Sequence, residues 1–382
     1  MKKVIIAIDS FKGSLSSFEA GESAAKGIKR IFPECEVISI PVSDGGEGLT
    51  DVLIAATSGK KVVLQAHDPL MNLRQTYYGI SGDGKTAIIE MANISGLTLV
   101  PLEQRNPMLT TTYGTGEVIK DALEHGCRNF IIGIGGSATN DAGMGMLQAL
   151  GYKLKDKDGR VLDIANGQTM SQVASIEGDD RCPAILASHF TVACDVNNPF
   201  FGAQGAAAIF APQKGADKEM VNILDMGMQR IATVIRQTTG IDISEIPGSG
   251  AAGGMGGCLR AFFNAELKPG IELVLKVLNF SNRISDADLV ITGEGKADKQ
   301  TVMGKVAHGI LKEADKWNVP VVLLAGSIED SEILNEAGFT AVFSITPAPM
   351  PLKQAMHADV TRRNIEQTAE QIARIIQNQA KL

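Results

Sequence analysis

Acidic side chains recur in this sequence at the points where apolar runs stop. Val4 to Ile8 ends in Asp9-Ser10-Phe11-Lys12-Gly13, and Val37 to Ile40 runs into Ser43-Asp44-Gly45-Gly46-Glu47-Gly48. Thr191 to Cys194 delivers Asp195-Val196-Asn197-Asn198-Pro199, and Leu289 to Ile291 leads into Thr292-Gly293-Glu294-Gly295-Lys296-Ala297-Asp298. Short β-branched runs of this kind read as strands buried on both faces of a parallel sheet, and open α/β sheets bind ligands beyond the carboxyl ends of their strands. An acid followed by asparagines at such an end suits metal coordination or a substrate hydroxyl. A helix cap is the plainer role for Asp44, but Glu47 beside it and the open glycines favour chemistry.

A different chemistry is written in Gly133 to Gly145, GIGGSATNDAGMG, which follows the apolar run Phe130-Ile131-Ile132. Strand, tight loop and helix in that order make a place for anions. Glycines let backbone amides close on phosphate oxygens beside a helix N-terminus, and Ser137, Thr139, Asn140 and Asp141 add polar groups at the same spot. A turn whose Asn140 or Asp141 caps the next helix fits the residues about equally well. The second glycine cluster, GSGAAGGMGG from Gly248 to Gly257, is too rich in glycine for a helix interior, at about 1 kcal/mol per glycine relative to alanine. It reads as a hinge or as close backbone packing.

Two familiar patterns match by letter. Gly133, Gly135 and Ala138 satisfy G-x-G-x-x-G/A, with Asp156 or Asp158 near the position of a ribose-binding acid, but the polar cluster after Gly136 falls where a dinucleotide-binding helix should be apolar. Gly79 to Thr86, GISGDGKT, satisfies the P-loop pattern, yet Ala87-Ile88-Ile89-Glu90 continues as a strand, so the segment reads as the tip of a β-hairpin.

The elements that must position these groups follow from the wider pattern. The chain has 382 residues, 44% of them hydrophobic, enough for two domains or three. A net charge of −7 with no basic cluster argues against nucleic acid and anionic membrane, so an anionic substrate must be met by local cations. Five cysteines without C-x-x-C spacing fit a reducing cytoplasm. The N-terminal apolar run stops at Asp9, too soon for a signal peptide, and no run approaches the roughly 18 residues of a membrane span. The five histidines show no metal spacing, and a zinc site at Cys182, His189 and Cys194 lacks a fourth ligand.

Strands alternate with helices at both ends of the chain, while from Val62 onward the runs shorten and alternate, with turns at Asp68-Pro69 and Gly82-Asp83-Gly84. This predicts helices from Ser16 or Ser17 to Ile31, Leu49 to Ala56, Lys218 to Val234 and Val360 to Ile376. The economical topology is α/β: one doubly wound domain made of both chain ends, 1–66 and 280–382, carrying an inserted domain, 67–279.

Taken together, these segments resemble the type-1 glycerate kinases over essentially the whole chain. The likeness is carried by Asp9 to Lys12, Asp44 to Gly48, Gly135 to Thr139 with Asp141, Asp195 to Pro199, Pro212 to Ala216, Gly250 to Gly254 and Ile291 to Gly295. It implies a flavodoxin-like doubly wound parallel-sheet domain interrupted by a second, mixed α/β domain. It also implies phosphorylation of D-glycerate by ATP with Mg²⁺, in the cytoplasm, with O2 as the favoured acceptor. Glycerate 3-kinase activity and, further off, an NAD-dependent oxidoreductase of a small hydroxy acid are the alternatives, and a homodimer is left open. This chain departs from the family at Ile8, where proline is usual, and at Ala142, where glycine is common. Phe200 and Phe201 replace smaller aliphatics, and Lys296 stands where arginine precedes Asp298. A lysine there cannot make arginine's bidentate fork on a carboxylate.

Under that resemblance the residues take roles. Asp195 or Asp44 accepts the hydroxyl proton, with Lys12 as the catalytic cation, and Asp44, Glu294 and Asp298 are the metal candidates. Asp9, Ser10, Lys214, Lys296, Asp298 and Lys305 bind substrate, while Gly135, Gly136, Ser137, Thr139, Gly253 and Gly254 cradle the nucleotide.

Overall fold

A computed structural model describes residues 1–379 and resolves into two compact units. One comprises Met1–Asp44 and the chain from Ile271 onward; the other is Gly45–Gly270. The breaks therefore fall after 44 and 270, where the sequence placed them after 66 and 279. Strand pairing accounts for the first difference. Lys60–His67 pairs antiparallel with Leu73–Ile80 along its whole length, from Lys60 opposite Ile80 to His67 opposite Leu73, and the Leu49–Thr57 helix packs on the Leu73–Ile80 and Thr86–Glu90 strands.

In the first unit five strands form one parallel sheet, in the order Ala341–Ser344, Val321–Ile328, Leu289–Ala297, Lys3–Ile8, Glu36–Ser39. Numbered along this unit, the order is 2-1-3-4-5, the flavodoxin-like arrangement, whose switch point lies between its first and third strands. Val4, Ile6, Ile291 and Leu324 are buried in its core, each contributing roughly 1.5–3 kcal/mol through burial. Ser16 and Glu19 form a reciprocal capping box that starts the Ser17–Ile31 helix, and its buried Ala20, Ala24 and Ile28 share that core with Ile365, Ala369 and Ile372 of Ala358–Gln379. The Leu289 strand runs six residues beyond the expected Ile291 because its neighbour continues beside it, with Glu294 opposite Ala325 and Ala297 opposite Ile328.

The second unit holds a six-stranded mixed sheet, in the order Glu266–Lys268, His189–Ala193, Asn129–Gly133, Thr86–Glu90, Leu73–Ile80, Lys60–His67. The first four run parallel and the last two complete an antiparallel meander. Phe130, Phe190 and Phe263 stack in its core, with ring centroids 4.6 and 4.9 Å apart. Gly79 pairs with Ile88 and Ile80 with Ala87 across a turn at Gly84, so the segment that matches a P-loop by letter is a hairpin. After Asn129–Gly133 no helix begins until Met144, which leaves the formal dinucleotide pattern without the helix it needs. No helix among the described residues is long and apolar enough to cross a membrane.

Candidate active site

The first unit gathers most of the sequence-predicted acids and lysines at the carboxyl ends of its strands. Asp9, Ser10, Lys12, Asp44, Glu294, Lys296 and Lys305 all line one cavity of about 660 Å³. Asp9 and Glu294 flank the switch point. The Asp9 amide donates to the Gly293 carbonyl at 2.9 Å, and its own Oδ1 accepts the Ser10 amide at 2.7 Å. The exits of the first two strands are tied by a residue the sequence marked only as a helix cap. Buried Ser17 donates its hydroxyl to the Ile8 carbonyl at 2.6 Å and accepts the Val42 amide at 2.9 Å, so one hydroxyl holds the approaches to Asp9 and Asp44.

The electrostatics follow from burial. Desolvation pushes the Asp9 carboxyl well above the usual carboxylate range, and the Asp44 charge pushes in the same direction. Burial also raises Glu294, against the Thr301 hydroxyl and the Lys305 ammonium, which stands 3.9 Å from Glu294 Oε2. Glu294 Oε1 is buried with no hydrogen-bond partner. Lys12 Nζ lies 3.5 Å from Asp44 Oδ2. Lys296 stands 2.7 Å from Glu329 and 3.4 Å from Asp298. Asp298, expected to bind metal and substrate, is instead engaged in a turn: its Oδ1 accepts the Gln300 amide at 2.9 Å and its amide donates to Thr301 at 3.0 Å. It is not among the residues that line the cavity.

In the second unit the loop from Gly133 divides into an open tip and a buried base. Gly135 and Gly136 are exposed, and Gly136 has φ +71°, a conformation that glycine adopts without strain. Neighbouring backbone anchors the tip, with Leu97 N donating to Gly136 O at 2.8 Å and Ala138 N to Ser95 O at 2.9 Å. Ser137 and Thr139 are buried below it. Lys214, expected to meet substrate, is 2% exposed and donates to Ser137 Oγ at 2.9 Å and to the Thr139 carbonyl at 2.6 Å. Burial brings its ammonium down to about 7, against the pull of Asp141. Lys214 therefore holds the loop from beneath. Asp141 is fully buried and accepts from the amides of Thr112, Gly143 and Gly145 and from the Thr112 hydroxyl.

Gly253 and Gly254 also serve the interior rather than a ligand. A Cβ on Gly253 would stand 2.1 Å from the Thr139 carbonyl oxygen, and one on Gly254 2.9 Å from Ala142 Cα. Their left-handed backbone, with Ala252, precedes the regular turns that run on to Phe263. Asp195 is exposed at the end of His189–Ala193, and its Oδ1 accepts the Gly270 amide at 2.8 Å, at the start of the Gly270–Val277 helix.

Sequence reasoning overlooked Glu90. It is 2% exposed and accepts the Gly48 amide at 3.2 Å and the Thr50 amide at 3.3 Å, fixing the glycine loop after Asp44 to the second sheet. Burial pushes it up to about 7. The signal was present, since Glu90 closes the apolar run Ala87-Ile88-Ile89 as Asp9 closes Val4 to Ile8.

A model of the glycerate kinase family matches residues 4–377. The chain is 46% identical over 373 residues to the glycerate kinase of Bacillus subtilis (strain 168), covering 97% of each protein. It is 47% identical over 354 residues to the glycerate 2-kinase of Escherichia coli (strain K12), covering 92% of this chain and 93% of that one. Among solved structures it is similar to a crystal structure of a proposed glycerate kinase 2 from Salmonella typhimurium LT2, with a TM-score of 0.89, 42% identity and 100% of both chains covered.

Proposed function

The chain belongs to the glycerate kinase family, and from that premise we propose that it transfers the terminal phosphoryl group of ATP to O2 of D-glycerate, giving 2-phospho-D-glycerate and ADP. One observation carries the reading: Asp9, Asp44 and Glu294 share a cavity with Lys12, Lys296 and Lys305 at the switch point of a flavodoxin-like sheet. Carboxylates beside ammonium groups supply what phosphoryl transfer asks of a protein, a proton acceptor and cations for the moving charge. Asp44 accepts the hydroxyl proton as the O2–P bond forms and the bond from phosphorus to ADP breaks. Lys12, 3.5 Å from Asp44, and Lys305 meet phosphate oxygens, and Lys296 meets the carboxylate of the acid. The exposed amides of Gly135 and Gly136 offer a further seat for an anion. The relative named glycerate 2-kinase supports O2 over O3.

The residues fit Mg²⁺. Glu294 Oε1 is a buried oxygen in want of a partner, and among the described residues no group of three His, Cys, Asp or Glu side chains could hold a metal ion. Mg²⁺ takes one or two carboxylates and completes its shell with water and substrate phosphates. Glu294, with Asp9 beside it, would hold the ion, whose chemistry is to neutralise charge on the phosphates.

The test is a coupled assay with D-glycerate and ATP, followed by phosphorus NMR of the product. A phosphate on the C2 methine splits into a doublet and one on the C3 methylene into a triplet. ADP formation with a doublet is expected; a triplet moves the reaction to O3, and no ADP removes it. An NAD-dependent activity would instead show as a rise in melting temperature with NAD and none with ATP and Mg²⁺. Asp44→Asn should lower kcat by about 10²-fold or more, the scale of a lost proton acceptor, while Asp195→Asn stays within about tenfold of the parent. The reverse pattern would transfer the proton to Asp195.

A further inference from the structure

The cavity of the first unit is too large for the acid alone, and part of its wall has no task in the reaction so far. Glycerate, three carbons and four oxygens, fills on the order of 100 Å³ at interior packing density, against a cavity of about 660 Å³. The acids and lysines come from the strands at and beside the switch point. From the outer strand Ala341–Ser344 the chain continues through Ile345, Met350, Leu352 and Met356, and these line the same cavity together with Phe11. Leu352 is 74% exposed and Met356 38%, large apolar side chains kept at the surface on a cavity wall. Asn364 of the Ala358–Gln379 helix also lines the cavity. It is only 4% exposed, and its buried Oδ1 has no hydrogen-bond partner. A buried carbonyl oxygen left unpaired calls for a donor, and an apolar wall beside it calls for an apolar body that carries one.

We propose that this wall is the base subsite of the nucleotide. The purine ring of ATP lies against Phe11, Ile345, Met350 and Met356, its exocyclic amino group donates to Asn364 Oδ1, and its phosphates extend toward Lys12 and Lys305. Thioethers are polarisable and favour contact with aromatic rings, which suits methionine to this surface. Guanine presents a carbonyl oxygen where adenine carries its amino group, so Asn364 Oδ1 would face an acceptor and GTP would bind more weakly than ATP. The assignment rests on the reading that ATP is the phosphoryl donor, and it adds which residues select the base.

The experiment is calorimetric titration of the whole protein with ATP and with GTP, each with Mg²⁺ and without any acid substrate, on the parent, Asn364→Leu and Met356→Glu. Met356 is exposed enough for its replacement to leave folding intact, which guards against an Asn364→Leu chain that fails to fold. The parent should prefer ATP about tenfold or more. Asn364→Leu should weaken ATP about tenfold and erase the preference, and Met356→Glu should weaken both nucleotides by setting a carboxylate on the wall. Steady-state kinetics should show the loss in KM for ATP, with KM for D-glycerate unchanged. Equal binding of ATP and GTP by the parent, or unaltered ATP affinity in both variants, overturns the subsite. Turnover of D-glycerate by ATP at an unaltered KM for ATP in both variants removes the subsite and leaves the reaction standing. A parent that binds ATP and loses it in the variants, yet forms no ADP with D-glycerate, keeps the subsite and removes the reaction.

Discussion

Glu90 shows what a single buried carboxyl group does to the balance of this protein. It closes a strand, lies 2% exposed, and takes one backbone amide from the loop that follows Asp44 and one from the first turn of the Leu49–Thr57 helix. Burial raises it from 4.5 to about 7, so the folded protein holds this proton more tightly than the unfolded chain does. Between those two values the unfolded state binds fewer protons, and stability must fall as pH rises through the window and stay lower above it. Glu90→Gln cannot ionise and should escape that loss. Relative to the parent it is expected to gain on the order of 2–3 kcal/mol between pH 4.5 and pH 8; urea midpoints at both values measure it, and parallel curves would contradict it. Lys214 teaches the complementary point. Lysine is ordinarily a surface residue, so the sequence read it as a phosphate or carboxylate partner, whereas the structure uses it to hold Ser137 and Thr139. Acids that end strands announced themselves; the buried partners that hold loops did not, because their work depends on contacts far away in sequence.

At the scale of elements, periodicity located most strands and helices and failed where a neighbouring backbone decided the outcome. Nothing in Thr292 to Ala297 distinguishes strand from loop, yet pairing with Leu323 to Ile328 carries the strand through and fixes Glu294 at the cavity. The glycines from 248 to 257 were legible as something other than plain helix, and the structure gives the reason. Gly253, at φ +69°, approaches Thr139 so closely that a methyl group has no room. Gly253→Ala should therefore cost about 3 kcal/mol or more through the clash and the left-handed strain together. Ala142 offers the contrast. It is fully buried at φ +55°. In Ala142→Gly the relief of about 1–2 kcal/mol of strain is offset by about 0.8 kcal/mol for a lost methyl and 0.5–1 kcal/mol of added chain freedom. Denaturation midpoints should show the first variant badly destabilised and the second within about 1 kcal/mol of the parent.

The whole molecule is organised by a chain that begins one unit, builds another, and returns. Alternation of strand and helix at both ends made the discontinuity readable, but the exact breaks depended on which sheet Lys60–His67 joins, and that is set by its antiparallel partner rather than by its own composition. The two cores differ in how they are drawn. The buried core residues of the second unit run from Ala66 to Ala265, all inside Gly45–Gly270. The core of the first needs both ends at once, since Val4, Ile6 and Ile8 pack with Leu289, Ile291 and Leu324, and the Leu289–Ala297 strand lies inside the sheet rather than at its edge. A segment of residues 45–270 carries a complete core of ordinary domain size, for which a stability of about 5–15 kcal/mol is typical. Expressed alone, it should melt in one cooperative transition. A chain ending at residue 270 should show that same transition, while the amides of Val4 to Ile8 exchange with solvent unprotected, because the strand that pairs with them through Leu289 to Gly293 is missing. Protected amides in that truncated chain would mean that the first sheet can form without its central strand, and an excised segment without a cooperative melt would mean that the second core depends on residues outside it.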